Sequence, residues 1–171
     1  MIPFTEDAAD MAMGFLDHIP WGSHMHHTIK PVEMDPVPEI NAKGGRTIPP
    51  QGWHTVYSVV VTEDMCNPMQ NLHGACSACL VDSVSSASMS LLATESFWAP
   101  PMLSGVSVTL DMQYLNPAPC GRKLRLTCIV EHMTTSMANI RVVLADWDTG
   151  VRFASGVHVK TWRGAIVKAK L

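Results

Sequence analysis

The stretch NPMQNLHGACSACLVDSVSSASMSLLAT, residues 67–94, carries a single charge, Asp82. From Leu72 onward its residues are small or apolar, with no Pro after Pro68 and no Gly after Gly74. That composition predicts one continuous helix over His73–Ala93, roughly 30 Å long at about 1.5 Å per residue. No face of it carries Lys, Arg or Glu before Glu95, so it should be buried nearly all round. A carboxylate in such a setting costs several kcal/mol unless it is paired, hydrogen-bonded or protonated. Asp82 is therefore either a core acid satisfied by the hydroxyls of Ser83, Ser85 and Ser86, or a functional one. Burial predicts a raised pKa for it unless the helix dipole and those hydroxyls offset the effect.

The start of the helix is the second clue. Asn67, Asn71, His73 and Gly74 crowd the end where backbone N–H groups lack helical partners and the dipole is positive. Such an end can hold an oxyanion. Asn71 is a rival to Asn67 there, because it is nearer His73 and could cap the helix. His73 and Asp82 are nine residues apart, about 13.5 Å along the axis and on opposite faces, so one straight helix cannot bring both to one atom. If both serve one site, the Asp comes from a second copy of the helix, as in a two-fold dimer.

Around the helix lie strand patterns. His54–Thr62 is rich in Val and Tyr, and Ser104–Leu115 alternates with Val106, Val108, Leu110, Met112 and Tyr114 on one face. Ser107 has the opposite parity and reads as a surface or seam residue. Lys123–Met133 places Leu124, Leu126, Cys128 and Val130 on one face, and Ala138–Trp147 and Val151–Trp162 follow across Asp148-Thr149-Gly150. Long antiparallel strands around one buried helix make an α+β domain. Upstream, Thr5 with Glu6 and Asp7 starts a short helix with an Ala8, Met11, Ala12, Phe15 stripe, placed on the outside of the domain. Residues from Trp21 to Gln51 are broken by Pro31, Pro36, Pro38, Pro49, Pro50 and Gly44-Gly45, and read as an irregular extension or lid.

The 171 residues suit one ordinary domain, and 47% hydrophobic against 16% charged residues fits an oligomer. A net charge of −3 with no basic run gives no nucleic-acid footprint. Five cysteines, an odd number, point to reduced thiols in an intracellular compartment. Cys76 and Cys79 form a C-x-x-C inside the apolar helix, which favours packing over redox chemistry. His24, His26 and His27 lack partners at metal-ligand spacing and read as a solvated loop. Asp82 and the many serines make the central helix a core element and not a membrane span. The acidic N-terminus, without Lys or Arg before Lys30, does not resemble a transit peptide. Ala169-Lys170-Leu171 is close to the Ser-Lys-Leu peroxisomal address; without it the expected location is cytoplasmic.

Taken together, NPMQNLHGACSACLVD and the following GVSVTLDMQYLNPAPCG resemble the hotdog-fold acyl-CoA thioesterases of the phenylacetate-thioesterase-like (PaaI-like) group. The pattern there is an Asn, a His-Gly six residues on, an acidic residue nine after the His, then a Gly-Val-Ser-Val strand. Asn67, His73, Gly74, Asp82 and Ser107 fall on it, with Ala75 in place of a second Gly. The resemblance spans residues from about 52 to 162, leaving 1–51 as an N-terminal extension and 163–171 as a tail. It implies a hotdog fold, an antiparallel sheet wrapped around the central helix, and hydrolysis of fatty or aromatic acyl-CoA in a site shared across a homodimer or a dimer-of-dimers tetramer. It implies that the Gly74 N–H polarises the thioester carbonyl with Asn67 and His73 beside it. Asp82 of the partner acts as base or nucleophile, and Ser107 orients water. CoA enters as part of the substrate, with no separate cofactor or metal, and its phosphates are expected near His158, Lys160 and Arg163 at the end of the last strand. A non-catalytic acyl-CoA-binding module on the same fold is the alternative.

Overall fold

A computed structural model describes residues 1–164. In chain order it contains β1 (Ile2–Pro3), α1 (Glu6–Asp17), α2 (Ser23–His26), β2 (Lys30–Met34) and β3 (Trp53–Val60). These are followed by α3 (Gly74–Leu91), β4 (Val106–Tyr114), β5 (Lys123–Met133), β6 (Met137–Asp146) and β7 (Arg152–Thr161). The strands form one antiparallel sheet in the order β1-β2-β3-β5-β6-β7-β4, with β4 at a free edge. The sheet packs on α3, the α+β arrangement that the strand and helix patterns predict and the hotdog fold that the resemblance implies.

Alternation does most of the positioning. Leu124, Leu126, Cys128 and Val130 of β5 and Ile140, Val142 and Leu144 of β6 are all fully buried against the helix layer. The serines of α3 are the price of a helix with almost no charge, and each finds a partner inside. Ser88 Oγ donates to the Val84 carbonyl at 2.6 Å and meets Thr55 at 2.7 Å and Tyr57 at 3.2 Å on β3. Ser90 Oγ donates to the Ala87 carbonyl. Buried polar groups so satisfied are compatible with a dry core.

The side of α3 turned from the sheet is covered by the N-terminal segment. Thr5 caps α1 by accepting from the Ala8 N–H at 3.2 Å, and α1 packs on α3. Ala12 and Leu16 are its buried residues, whereas Met11 is exposed, so the expected stripe is rotated by one position in the helix's second half. His26 of α2 lies against Ser83 of α3, Nε2 to Oγ at 3.1 Å. The region read as irregular thus contains α2 and a strand. β2 escapes a periodicity reading because Pro31 interrupts it. That proline is tolerated at a bulge between Pro31 and Glu33, where β1, only two residues long, leaves its outer edge unpaired. Glu33 pairs with Arg125, and Asp35 Oδ2 accepts from the His54 backbone N–H at 2.9 Å, which ties the extension to the sheet.

Gly156 of β7 lies directly under Val81 of α3. A Cβ there would lie 2.7 Å from Met112 Sδ and 2.8 Å from Val81 Cγ1. The Met side chain can swing away, but the β-branched Val81 cannot move without the helix. Gly156→Ala is expected to lower stability by about 1–3 kcal/mol. Thermal unfolding at neutral pH checks this, and an unchanged midpoint would show that α3 has slack at this contact.

All five cysteines are free. Burial pushes the Cys76 and Cys79 thiols above their ordinary range and the Cys128 thiol up to about 11, so none of these is poised as a thiolate. Among the described residues no helix is long and apolar enough to cross a membrane. The Ala169-Lys170-Leu171 signal lies outside the described residues.

Candidate active site

Two half-sites emerge on α3. The first is its N-terminus. His73 is the N-cap: its backbone is extended and its Nδ1 accepts from the Ala75 N–H at 3.0 Å. Asn71 therefore does not cap the helix; its Nδ2 donates to the Met69 carbonyl at 3.0 Å. With Ala75 engaged by the His73 ring, the Gly74 N–H is left without an acceptor among the described residues. Asn67 is oriented by its own turn, Oδ1 accepting from the backbone N–H of Met69 at 2.9 Å and of Asn71 at 3.3 Å. Its oxygen being committed, its Nδ2 is the free donor. Asn67 and Gly74 line the same cleft of about 290 Å3.

Tyr114 completes this end and was not singled out by the sequence motifs. Its hydroxyl donates to the Gly74 carbonyl at 3.1 Å, and its ring sits where a Cβ at Gly74 would fall, 3.3 Å from the Cζ atom. Gly74 thus allows the last residue of β4 to brace the first turn of α3.

The second half-site surrounds Asp82. Its side chain is 48% exposed, with Oδ1 3.7 Å from His158 Nε2. This corrects the expectation of a buried acid: the described residues leave the middle of α3 open on this side. The serines expected to satisfy it are engaged elsewhere. Ser83 meets His26, Ser85 Oγ contacts His158 Nδ1 at 2.7 Å, and Ser86 Oγ accepts from Lys160 Nζ at 2.8 Å.

His158 also reaches Ser107, Nε2 to Oγ at 2.8 Å, so it joins two residues of the motif. Ser107 points inward despite its parity. Register slips by one residue between Ser107 and Thr109, so Ser107 pairs with Lys160, Leu110 with His158 and Met112 with Gly156, all on the helix-facing side. Val108 is the extra residue of this bulge, and bulges of this kind re-aim side chains.

The hydrogen-bond directions follow. Ser85 Oγ donates to the Asp82 carbonyl at 3.0 Å, so toward His158 it is an acceptor and Nδ1 carries the ring proton. Nε2 is then the acceptor and takes the Ser107 hydroxyl hydrogen. Ser107 therefore presents only lone pairs outward, beside a carboxylate that also only accepts.

His158 and Lys160 are buried, at 0% and 3% exposure, which corrects their expected place on a phosphate-binding surface. They sit on the inward side of β7 under α3; only Arg163 is exposed. Burial, helped by Lys160, pulls the His158 pKa down to about 3, and burial also lowers that of Lys160 against the opposing pull of Asp82. The neutral ring has a consequence for stability. Between pH about 6.5 and about 3 the unfolded chain protonates His158 and the folded chain does not, so this contribution is present above 6.5 and lost as pH falls through that window. His158→Gln is expected to flatten the fall in melting temperature across it. Parallel curves for wild type and variant would show that the ring titrates alike in both states.

Asp82 and Gly74 are eight residues apart on one helix, about 12 Å, so the two half-sites of one chain do not meet. Periodicity held an unused signal for the second: His158 and Lys160 continue the face of the small residues Ala154 and Gly156, two bases on a face that meets an apolar helix. Among the described residues no cluster of three or more His, Cys, Asp or Glu could hold a metal, and His24, His26 and His27 do not converge on one.

Residues 69–151 match the family model described as Thioesterase superfamily. The chain is 36% identical over 100 residues to acyl-coenzyme A thioesterase 13 of Mus musculus, a match covering 58% of this chain and 66% of that relative's length. Among solved structures, thioesterase superfamily member 2 from Mus musculus superposes with a TM-score of 0.68 at 21% identity, covering 94% of this chain and 98% of that one. The E. coli PaaI protein from the phenylacetic acid degradation operon superposes with a TM-score of 0.65 at 16% identity, covering 92% and 94%.

Proposed function

From the match of residues 69–151 to the thioesterase superfamily and from the hotdog fold, we propose that the chain hydrolyses the thioester of fatty or aromatic acyl-CoA, releasing free acid and CoA. The observation that carries the reading is the complementarity of the two half-sites. One offers two free donors, the Gly74 N–H and Asn67 Nδ2, suited to a developing oxyanion. The other offers two acceptors, Asp82 and Ser107, suited to the hydrogens of one water.

Chemistry follows from placing them face to face. Water held between Asp82 and the Ser107 lone pairs attacks the thioester carbon and gives its proton to Asp82. The carbonyl electron pair moves onto the oxygen held by Gly74 and Asn67. Collapse of that intermediate breaks the C–S bond, and the CoA sulfur leaves as a thiolate that takes up the proton held by Asp82, restoring the carboxylate. This assigns Asp82 the role of general base and His73 that of shaping the donor end as its cap.

Since one chain holds the halves about 12 Å apart, the complete site needs a second copy. A homodimer joined along β4 supplies it. That edge strand exposes Val106 and Val108, at 48% and 52%, beside Ser107. An exposed apolar sheet edge of this kind is a pairing surface.

The test is thiol release from short, long and arylacetyl CoA esters, with mass in solution measured by light scattering. Turnover by a species of twice the chain mass supports the reading. Binding of CoA esters with no turnover of any would make the protein a non-catalytic acyl-CoA-binding module.

A further inference from the structure

A cavity of about 350 Å3 opens beyond the C-terminal end of α3, the end opposite Gly74. That volume lies within the range of small-molecule sites. It is enclosed by the hairpin 41–48, the segment 94–98 after α3 and the turn between β5 and β6. The hairpin is outside residues 69–151, the stretch that matches the family model.

The hairpin is a built wall. Asn41 turns it, Oδ1 accepting from the Lys43 N–H at 2.9 Å and Nδ2 donating to Thr47 Oγ1 at 3.2 Å, and Ile40 pairs with Arg46 across it. Thr94 Oγ1 donates to the Gly44 carbonyl at 2.7 Å, pinning the hairpin to the end of α3. Gly44 has φ +80°, and a Cβ there would lie 3.0 Å from Ser96 Oγ, so both its backbone and its close approach require glycine.

Its lining has two chemistries. Ile48, Leu92, Phe97 and Trp98 form an apolar floor; the Trp98 indole N–H is already spent on the Thr134 carbonyl at 2.9 Å. Against this stand Lys43, Arg46 and His132, with no Asp or Glu lining the cavity. Neither Lys43 nor Arg46 forms an ion pair among the described residues. Arg46 uses Nη1 on the Pro38 carbonyl, while its Nε is buried without a partner. Nη2 has no hydrogen bond among the described residues and is the guanidinium donor left for a carboxylate entering the cavity.

We propose that this cavity is a binding site for a free amphipathic monocarboxylate, an aryl or alkyl carboxylic acid, with the carboxylate on Arg46 and Lys43 and the apolar body on Phe97 and Leu92. The class is read from the cavity and does not rest on the hydrolase reading. An extended acyl tail alone would not account for the unpaired cations, nor a bare phosphate for the apolar floor.

Calorimetric titration of the full-length protein, with no CoA ester present, tests it. Decanoate and phenylacetate are expected to bind once per chain, and decanol and phenylacetamide at least tenfold more weakly. Arg46→Gln should weaken acid binding at least tenfold while leaving thioester turnover as in wild type. Lys43→Gln, at an exposed position, should weaken it severalfold even if Arg46→Gln fails to fold. Equal binding of the neutral analogues, undiminished binding by both variants, or no binding of either acid would overturn the proposal. So would displacement of the acid by inorganic phosphate or adenosine 3′,5′-bisphosphate at lower concentration than the acid itself needs, which would make the cavity a phosphate site. Inhibition of turnover by the acids that Arg46→Gln does not relieve would put them in the hydrolytic cleft instead and would equally overturn it.

Discussion

Asp82→Asn is expected to lower thioester turnover by about a thousandfold, within the range for removing a positioned general base, with little change in KM. The expectation follows from what the carboxylate does and does not touch. Among the described residues no hydrogen bond ends on it, its ion-pair partner His158 Nε2 stands at 3.7 Å, and it is half exposed. An isosteric amide therefore fits the same space, and the fold should survive with a stability change of roughly 0.5 kcal/mol or less. What the amide cannot do is take a proton from water. Ser107→Ala removes one acceptor from the same water and leaves the base, so its loss should be smaller. The comparison separates base from nucleophile when hydrolysis is run in 18O water under single-turnover conditions. A base leaves label only in the released acid, whereas a nucleophile forms a mixed anhydride whose hydrolysis can place label in the Asp82 carboxylate. Turnover by Asp82→Asn close to wild type would remove Asp82 from the chemistry and leave the acid a structural one.

How much of this was legible in the chain differs by element, for physical reasons. α3 was readable because a long run with one charge and no internal proline has few other stable forms, and its observed span falls inside the expected one. β5, β6 and β7 were readable because one face of each is buried, so period-two alternation is enforced along their length. β2 was hidden by Pro31, tolerated only because of a bulge and a two-residue neighbour that periodicity does not register. Ser107 was misaimed by parity because a one-residue bulge flips every side chain beyond it. Asp82 was placed in the core because sequence reports what a helix carries and not what covers each face. Among the described residues no element covers Asp82, whereas the cover over Ser83, His26, comes from a segment fifty-seven residues away. The motif spacing singled out Asn67, Gly74, Asp82 and Ser107, whereas the contact of His158 with two of them needed the sheet register.

Asn67→Ala is expected to lower turnover by about a hundred- to a thousandfold, the loss typical of removing one oxyanion donor. Asn67 Oδ1 accepts from the Met69 and Asn71 N–H groups, so truncation also loosens the 67–71 turn. Asn67→Asp separates the two effects, because it keeps the acceptor and the turn while replacing the free donor with a negative charge. It should fold like wild type and be at least as inactive. The decisive use of the Asn67 variant is in combination with the Asp82 one. If the donors of one chain work with the acid of its partner, a hybrid dimer of an Asn67→Ala chain and an Asp82→Asn chain has one site with both defects and one with neither. Random pairing of equal amounts makes half the dimers hybrid, so two nearly inactive proteins refolded together should recover about a quarter of wild-type activity. Recovery at that level requires the site to be shared. Activity that stays at the level of the separate variants, with hybrid dimers shown to be present by mass, would mean that each chain completes its own site, and α3 would have to depart from the straight helix that holds its two half-sites apart.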